Sequence, residues 1–378
     1  MTRRSHGARR TRPTPEACRR CFVSSEVEIF AFHNAALPSR PDRPYARTMQ
    51  RIALILLLFV LLMNGQHDGA VPPAMAGRIA VAARALPLEE AGDPARLGPL
   101  RLLGAWHLTS PHPAFGGFSS LLVDEAGGFI ALNDTGEAFT FGLARAGQGE
   151  VMPLPRPAAE QDVPRWKWDS ESMTRDPASG RIWVGFEHLQ MICRYAPGFA
   201  RREGCVRPAA VQRWPLTGSL ESLVRLGDGR FLAISEMGRG ADGAHDVLLW
   251  RGDPVDPATP PPVHLGYRPP PGYRPTDAVW LGGDRLLVLN RRLTLAEGFT
   301  ARLALVRMPP LEAGAQLQAQ VIARFAPPGF ADNFEALALS RDEGGRPVLW
   351  VASDDNHLFL QRSLLLRFAL PVEWGGDF

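Results

Sequence analysis

The stretch that decides the fold is residues 220–236, Leu-Glu-Ser-Leu-Val-Arg-Leu-Gly-Asp-Gly-Arg-Phe-Leu-Ala-Ile-Ser-Glu. Two short apolar runs flank the turn Asp228-Gly229-Arg230, and the second run ends at Ser235-Glu236. Glycine supplies the positive φ that tight hairpin turns require. This stretch therefore predicts a β-hairpin with an acidic residue near each end.

The same layout recurs four more times along the chain: a small or acidic residue, an apolar stretch, a turn with glycine, an apolar run and a polar end. The residues at the equivalent position near the start of each hairpin are Ser119, Glu171, Glu221, Asp277 and Glu335. These positions are 52, 50, 56 and 58 residues apart. Such a period exceeds a hairpin and leaves room for two further strands, as in residues 246–250 and 263–267.

Four strands per repeat at this spacing are typical of a propeller blade. We therefore expect an all-β protein, a β-propeller of five four-stranded blades over residues 98–378, with a six-bladed ring as the alternative. An N-terminal strand around residues 100–108 is expected to close the last blade, which removes exposed sheet edges. An irregular β-sandwich is the competing fold, and the regular spacing of the repeat favours the propeller.

The N-terminal part of the chain has the features of an export signal. Residues 52–63 form an apolar run of 12 residues after Arg51, and Ala74-Met75-Ala76 supplies a small-x-small cleavage pattern before Gly77. The run is shorter than the roughly 20 residues that span a bilayer. Residues 49–76 are predicted to be a signal peptide, with a short buried helix or a retained anchor as alternatives. The mature protein is then periplasmic or secreted, without a membrane span.

Residues 1–48 are interpreted as an over-extended gene start or a disordered leader, and residues 77–97 as a linker. The leader holds ten Arg and four acidic residues, whereas residues 49–378 hold 32 basic and 35 acidic residues. The basic balance of the whole chain thus gives no reason to expect a nucleic-acid partner. Cys193 and Cys205 are predicted to form a disulfide, because an exported domain meets an oxidising compartment.

The repeated acids are the strongest indication of chemistry. In a propeller the innermost strands line the central channel, so Glu171, Glu221, Asp277 and Glu335 are expected to converge at one mouth. Converging carboxylates repel one another unless a cation or shared protons offset their charge. A hard cation with oxygen ligands, Ca²⁺ before Mg²⁺, is the simplest solution. A structural role, in which the acids bond to backbone N–H groups, is the alternative.

Several motifs resemble those of a known family. They are Gly-Gly-Phe-Ser-Ser-Leu at 116–121, Pro-Thr-Asp-Ala at 275–278, Asn-Arg-Arg-Leu at 290–293, Asn-Phe-Glu-Ala-Leu at 333–337, Ser-Asp-Asp-Asn at 353–356 and Gln-Arg-Ser-Leu-Leu-Leu-Arg-Phe at 361–368. Together they resemble the phytase-like propeller family, the group described as having esterase-like activity of the phytase type. The resemblance extends over nearly all of residues 100–370.

The resemblance implies a metal-assisted hydrolase that acts on phosphate esters or other esters of small molecules. Metal ions in such an enzyme neutralise developing charge and activate a water molecule. The implied metal ligands are Glu171, Glu221, Asp277, Glu335, Asp354 and Asp355, with Asn356 beside them. The implied catalytic residues are Glu171, Asp277 and Glu335, and the implied substrate-binding residues are Arg291, Arg292 and Arg362.

Two other function classes stay open at this point, a non-catalytic propeller that binds a ligand or an envelope partner and a lactonase-type hydrolase. Ser119 is a weak candidate nucleophile, because its surroundings stop short of Gly-x-Ser-x-Gly. His188 and His357 are candidate bases or ligands. Trp166 and Trp168 are candidates for an aromatic rim. The sequence does not indicate the oligomeric state.

Overall fold

The computed structural model describes residues 75–376, apart from residues 125, 144–146, 158–159 and 161. The described residues form 23 β-strands in five sheets, and each sheet is one blade of a β-propeller. The all-β class and the five blades are confirmed, and the six-bladed alternative is wrong. The leader and the export signal predicted before residue 75 lie outside the described residues.

Within each blade, the strands are named in order from the channel to the outer edge. Blade 1 contains β4 (Phe118–Val123), β5 (Phe129–Asn133), β6 (Glu137–Phe141), β7 (Gly149–Pro153) and β1 (Gly77–Ile79). Blade 2 contains β8 (Ser170–Arg175), β9 (Ile182–Phe186), β10 (Met191–Tyr195) and β11 (Arg202–Val206). Blade 3 contains β12 (Ser222–Arg225), β13 (Phe231–Arg239), β14 (His245–Trp250), β15 (Val263–Arg268) and β19 (Gln316–Gln318).

Blade 4 contains β16 (Arg274–Gly282), β17 (Arg285–Thr294), β18 (Gly298–Arg307) and β20 (Gln320–Phe325). Blade 5 contains β21 (Asn333–Arg341), β22 (Pro347–Asp354), β23 (Ser363–Ala369), β3 (Arg101–Thr109) and β2 (Ala82–Ala85). Short 3-10 turns cover Leu88–Ala91, Pro94–Leu97, Arg165–Lys167, Pro197–Phe199, Val211–Arg213 and Val372–Trp374. In the described part of the chain, no helix is long and apolar enough to cross a membrane.

The ring closes by pairing the two ends of the propeller. Strand β3 lies antiparallel to β23, with Leu108 opposite Ser363 and Arg101 opposite Ala369. This is the closure that the sequence predicts. The segment expected to be a linker differs, because residues 77–97 supply β1 to blade 1 and β2 to blade 5.

The inner strands β4, β8, β12, β16 and β21 contact one another in a closed circle around the channel. All five run in the same direction. We call the end where they begin the upper mouth and the end where they turn back, near Asp124 and Asp228, the lower mouth. The connections after the second and after the fourth strand of a blade, counted from the channel, lie at the upper mouth.

The apolar core lies between the blades. Five clusters of buried side chains each join two neighbouring blades, as Phe129 of blade 1 and Trp350 of blade 5 do with ring centroids 4.7 Å apart. Each blade buries both faces, so its strands are apolar on both sides. Within blade 2, the predicted disulfide joins Cys193 on β10 to its cross-strand neighbour Cys205 on β11.

Candidate active site

Four of the five inner strands begin with a β-bulge at the upper mouth. The register shifts leave Ser119, Glu171, Thr276 and Glu335 as the extra residues, and Glu221 directly precedes β12. A bulge re-aims the side chain of its extra residue. The fourth repeat position therefore belongs to Thr276, and the prediction that placed Asp277 there is wrong by one residue.

The hydroxyl groups at these positions join neighbouring blades. Ser119 Oγ donates to the carbonyl of Ser170, and Thr276 Oγ1 donates to the carbonyl of Phe334 at 3.4 Å. The two bonds are equivalent, because each acceptor directly precedes the extra residue of the next bulge. Ser119 therefore has a structural partner rather than the setting of a nucleophile.

Asp277 links blade 4 to blade 5 instead of facing the other acids. Its carboxylate accepts the N–H groups of Ala278 and Leu337, both at 2.7 Å. It lines a cavity of about 920 Å³ that includes lower-mouth residues such as Asp124 and Glu343. Burial raises the pKa of Asp277 well above its usual range. This geometry matches the structural alternative for this one acid.

Asp169, Glu187 and His188 meet at the upper mouth, where the first hairpin of blade 2 begins and ends, and their ligand atoms lie within 4.8 Å of one another. His188 Nδ1 lies 2.7 Å from Asp169 Oδ2 and 3.6 Å from Glu187 Oε2. The N–H of Glu187 donates to the carbonyl of Asp169 at 2.7 Å, which fixes the two segments together. Glu187 Oε1 also accepts the N–H groups of Gly218 and Ser219.

Glu171 joins this group from its bulge. Burial raises the pKa of Asp169 and of Glu171 well above the usual range, and neighbouring carboxylates raise both pKa values further. The carboxyl groups of Asp169 and Glu171 lie close enough to influence each other's pKa. Two adjacent buried carboxyl groups resist simultaneous ionisation. Burial also raises the pKa of Glu187 and, well above its usual range, that of Glu221.

Arg291 supplies positive charge on the opposite side of the mouth. Its guanidinium forms ion pairs with Glu335 and Glu236, and it donates to Asn333 Oδ1 at 2.6 Å. Asn333 Nδ2 in turn donates to Glu335 at 2.9 Å and to Asp354 at 3.0 Å. Arg291 therefore holds acids of blades 3 and 5 in place, and Glu335 is the predicted site residue that it neutralises.

Asp354, Asp355 and Asp134 complete the mouth between blades 5 and 1. Burial raises the pKa of Asp354 to about 8, and repulsion from Asp134 is the second-largest cause of this increase. Burial and the charges of Glu137 and Asp355 raise the pKa of Asp134 to about 7. Asp355 accepts a backbone N–H of Gly117 and the hydroxyl of Ser363, so it ties two connections together.

The structure does not bring the other two predicted substrate-binding arginines into the acidic group. Arg292 forms an ion pair with Glu297 and lies over the ring of Tyr273, 4.8 Å from its centroid. Arg362 Nε lies 3.7 Å from Asp332, and its side chain is partly exposed at the upper mouth. Both residues are close to the rim.

The two tryptophans predicted as an aromatic rim have separate roles. Trp168 is fully buried in the core between blades 1 and 2. Trp166 is half exposed, and its ring meets that of His188 edge to face with centroids 5.5 Å apart. Only Trp166 can touch a ligand at the upper mouth.

A family model described as "Phytase-like: Esterase-like activity of phytase" matches residues 113–357, well over half of the chain. The chain belongs to this family. The predicted resemblance to the phytase-like family is confirmed. No curated protein sequence matches the chain.

Solved structures similar to this phytase-like protein are distant from it. Glutaminyl cyclase from Myxococcus xanthus is 11% identical, with 72% of this chain and 97% of that chain covered and a TM-score of 0.42. The PQQ-bound aldose sugar dehydrogenase from Streptomyces coelicolor is 12% identical, with 79% and 99% covered and a TM-score of 0.37.

The donor set of the phytase-like site suits a divalent cation. Asp169 and Glu187 offer carboxylate oxygens and His188 an imidazole nitrogen within one small volume. Asp134 Oδ1 is buried and forms no hydrogen bond. A cation would offset the mutual repulsion that raises the pKa values of these acids. The acidic cluster is therefore able to hold a metal ion.

Sequence reasoning missed Asp169 as a member of the cluster and placed Asp277 there instead. The available signal was proximity in sequence, because Asp169 stands directly before β8 and two residues before Glu171. Glu187 and His188 follow directly from the end of a predicted hairpin. The shift at Thr276 had no sequence signal, since a bulge changes the register without changing the residue pattern.

Proposed function

We propose that this protein hydrolyses ester bonds, phosphate esters foremost, at the upper mouth with the help of a bound divalent cation, Ca²⁺ in the first instance. The observation that carries the proposal is the convergence of Asp169, Glu187 and His188 within 4.8 Å, beside further buried carboxyl groups. Such convergence costs folding free energy in the absence of a cation. Family membership supports the reaction class.

The cation itself would neutralise charge on the reacting oxygen atoms and lower the pKa of a bound water. The protein groups around it have complementary roles. Burial and neighbouring carboxylates raise the pKa values of Asp169 and Glu171, which makes this pair the candidate general acid or base. His188 contacts Asp169 and fixes its orientation. Arg291 holds Glu335 in place through its ion pair.

Ca²⁺ is the first candidate because most donors at the site are carboxylate oxygens. The imidazole of His188 is a softer ligand that Zn²⁺ and other transition metals accept readily. His188→Gln separates the two arrangements. If Ca²⁺ binds to oxygens alone, the variant keeps most of its Ca²⁺ affinity; if His188 is a ligand, affinity for Zn²⁺ falls most.

The experiment measures Ca²⁺ binding by calorimetry and turnover of aryl phosphate, aryl ester and lactone substrates, with and without a chelator. Glu171→Gln and Asp169→Asn are expected to weaken Ca²⁺ binding and turnover together, by about tenfold or more for a ligand or its direct neighbour. Glu343→Gln, an exposed acid at the lower mouth, is the matched control and should behave as the wild type. A wild type that binds no divalent cation and turns over no substrate would refute the proposal.

We also propose that the protein is exported, with a mature chain that begins near Gly77. The support is the apolar run at residues 52–63 and the cleavage pattern Ala74-Met75-Ala76. N-terminal sequencing of the protein from the periplasm or the medium tests this. A chain that keeps residues 49–76 in the cytoplasm would contradict it.

A further inference from the structure

The upper mouth carries an unusual share of the exposed apolar side chains. Ten large apolar side chains are exposed in the described part of the chain. Seven of them lie on connections or strand ends at the upper mouth: Trp166, Leu216, Met237, Leu293, Leu295, Phe359 and Leu360. Met75 begins the described chain, and Leu88 and Val372 lie on lower-mouth connections.

The strand pairings place these residues at the upper mouth. Phe359 and Leu360 follow Asp354, which pairs with Asn333 at the start of inner strand β21. Leu295 follows the part of β17 that continues beyond Arg274 at the start of β16. Met237 lies on β13 beyond Ile234, the residue that pairs with Ser222 at the start of β12. Leu216 lies on the segment before β12, and Trp166 on the segment before β8.

The apolar side chains form separate points rather than one patch. Phe359 and Leu360 are 84% and 71% exposed, and Leu295 is 78% exposed on a different blade. A stable protein–protein interface has a contiguous apolar centre, which these separate side chains do not form. The ring of Trp166 contacts that of His188, so the exposed apolar side chains lie next to the candidate metal group.

A cationic side chain lies within three residues in sequence of each of the seven points. The pairs are Trp166 with Lys167, Leu216 with Arg213, Met237 with Arg239, Leu293 and Leu295 with Arg292, and Phe359 and Leu360 with Arg362. Lys167, Arg213 and Arg239 form no ion pair with a described acid. Arg292 pairs with the half-exposed Glu297, and Arg362 lies near the buried Asp332. In a lipid surface, exposed apolar side chains can enter the acyl layer while neighbouring cationic side chains bind anionic headgroups.

We propose that the upper mouth docks on an anionic lipid surface, with Phe359 and Leu360 inserted among the acyl chains and the accompanying cations on the headgroups. If the proposed function holds, the ester that it hydrolyses belongs to an amphiphile embedded in that surface. The acids lie inside the ring of apolar points, so docking would place the candidate site against the lipid surface. Docking would also exclude water from the mouth, which strengthens electrostatic interactions there.

Docking is tested on the whole protein with vesicles of phosphatidylglycerol and phosphatidylcholine, by sedimentation and Trp fluorescence, with chelator present so that no turnover is required. We expect binding to mixed anionic vesicles that weakens with salt, and little binding to pure phosphatidylcholine. The double variant Phe359→Ser/Leu360→Ser should bind about tenfold more weakly, since it removes two inserted side chains. The matched control is Leu88→Ser/Val372→Ser, at the lower mouth, which should bind as the wild type does.

The outcomes separate this proposal from the proposed function. Equal loss in both double variants, equal binding to both vesicle types, or no vesicle binding by the wild type would each overturn the docking surface. Self-association that is lost only in Phe359→Ser/Leu360→Ser would overturn it in favour of a second copy of the chain. Turnover of a soluble aryl ester should be unchanged in Phe359→Ser/Leu360→Ser, whereas turnover of the same ester group carried in anionic vesicles should fall about tenfold.

Discussion

His188 Nδ1 lies 2.7 Å from Asp169 Oδ2, although the two residues reach the upper mouth from opposite ends of the first hairpin of blade 2. The hairpin thus brings an imidazole and a carboxylate together without any contribution from another blade. Glu171 joins them from the same hairpin, and Glu187 stands next to His188. One supersecondary unit therefore supplies the core of the candidate metal group, and its neighbours supply the surrounding charge.

Arg291→Met is expected to destabilise the metal-free protein by about 3 kcal/mol, because it leaves the largely buried carboxylates of Glu335 and Glu236 without the guanidinium that pairs with them. Urea unfolding in the presence of chelator measures the loss. Adding Glu335→Gln to this variant should restore part of the stability, since it removes one uncompensated charge. If the double variant is no more stable than Arg291→Met, the ion pair is not the cause.

The stability of the cation-free protein should fall as the pH rises from about 4 to 8. The pKa values of Asp134 and Asp354 are raised in the folded state to about 7 and about 8, so the folded protein binds more protons than the unfolded chain in this range. The stabilisation by these protons is complete below the unfolded pKa and is lost as the pH passes the folded pKa. Melting temperatures in chelator across this range measure it.

Adding Ca²⁺ should reduce this pH dependence, because a cation stabilises the ionised carboxylates of the folded state by mass action. The rise in melting temperature with Ca²⁺ should therefore be larger at pH 8 than at pH 5. A rise that is equal at both pH values would contradict a cation site among these acids.

Asp277→Asn is expected to cost about 2 kcal/mol, because an amide cannot accept both N–H bonds that Asp277 accepts from Ala278 and Leu337. Ca²⁺ binding should be unaffected, since Asp277 is absent from the upper-mouth group. Paired unfolding and calorimetric measurements on the variant and the wild type check this. A variant with normal stability and weakened Ca²⁺ binding would restore Asp277 to the metal site.

Replacing Cys193 and Cys205 by alanine should lower the free energy of unfolding by about 3 kcal/mol, since the disulfide closes a short loop in the unfolded chain. The bridge lies on the third and fourth strands of blade 2, away from the channel. Turnover by the folded double variant should equal that of the wild type at low temperature. The wild type assayed with a reductant is the companion measurement.

The architecture was predictable because it rests on a repeated local pattern. Hairpin turns with glycine, apolar runs and a period above 50 residues specify blades, and the closure by residues 100–108 follows from the need to cover an edge. The role of residues 77–97 was not predictable. Strands β1 and β2 are short and partly exposed, so they lack the apolar alternation by which strands are recognised.

The candidate site was predictable at the level of its mouth but not in its register. The repeat correctly directs attention to the start of the inner strands, where Glu171, Glu221 and Glu335 lie. It does not reveal that a bulge gives the fourth position to Thr276, because both Thr276 and Asp277 fit the pattern. Nor does it reveal that Arg291 forms ion pairs with Glu236 and Glu335, because these pairs join three different blades.

Because β3 pairs with β23, blade 5 cannot be completed until the last strands of the chain have been synthesised. Asp354 belongs to that blade, and the completed circle brings it close to Asp134 of blade 1. During synthesis the chain therefore has no assembled acidic mouth until nearly its whole length has left the ribosome. A chain that stops before Ser363 leaves β3 without its neighbour, so a premature stop codon there leaves the ring of acids open although every one of its carboxylates is still encoded.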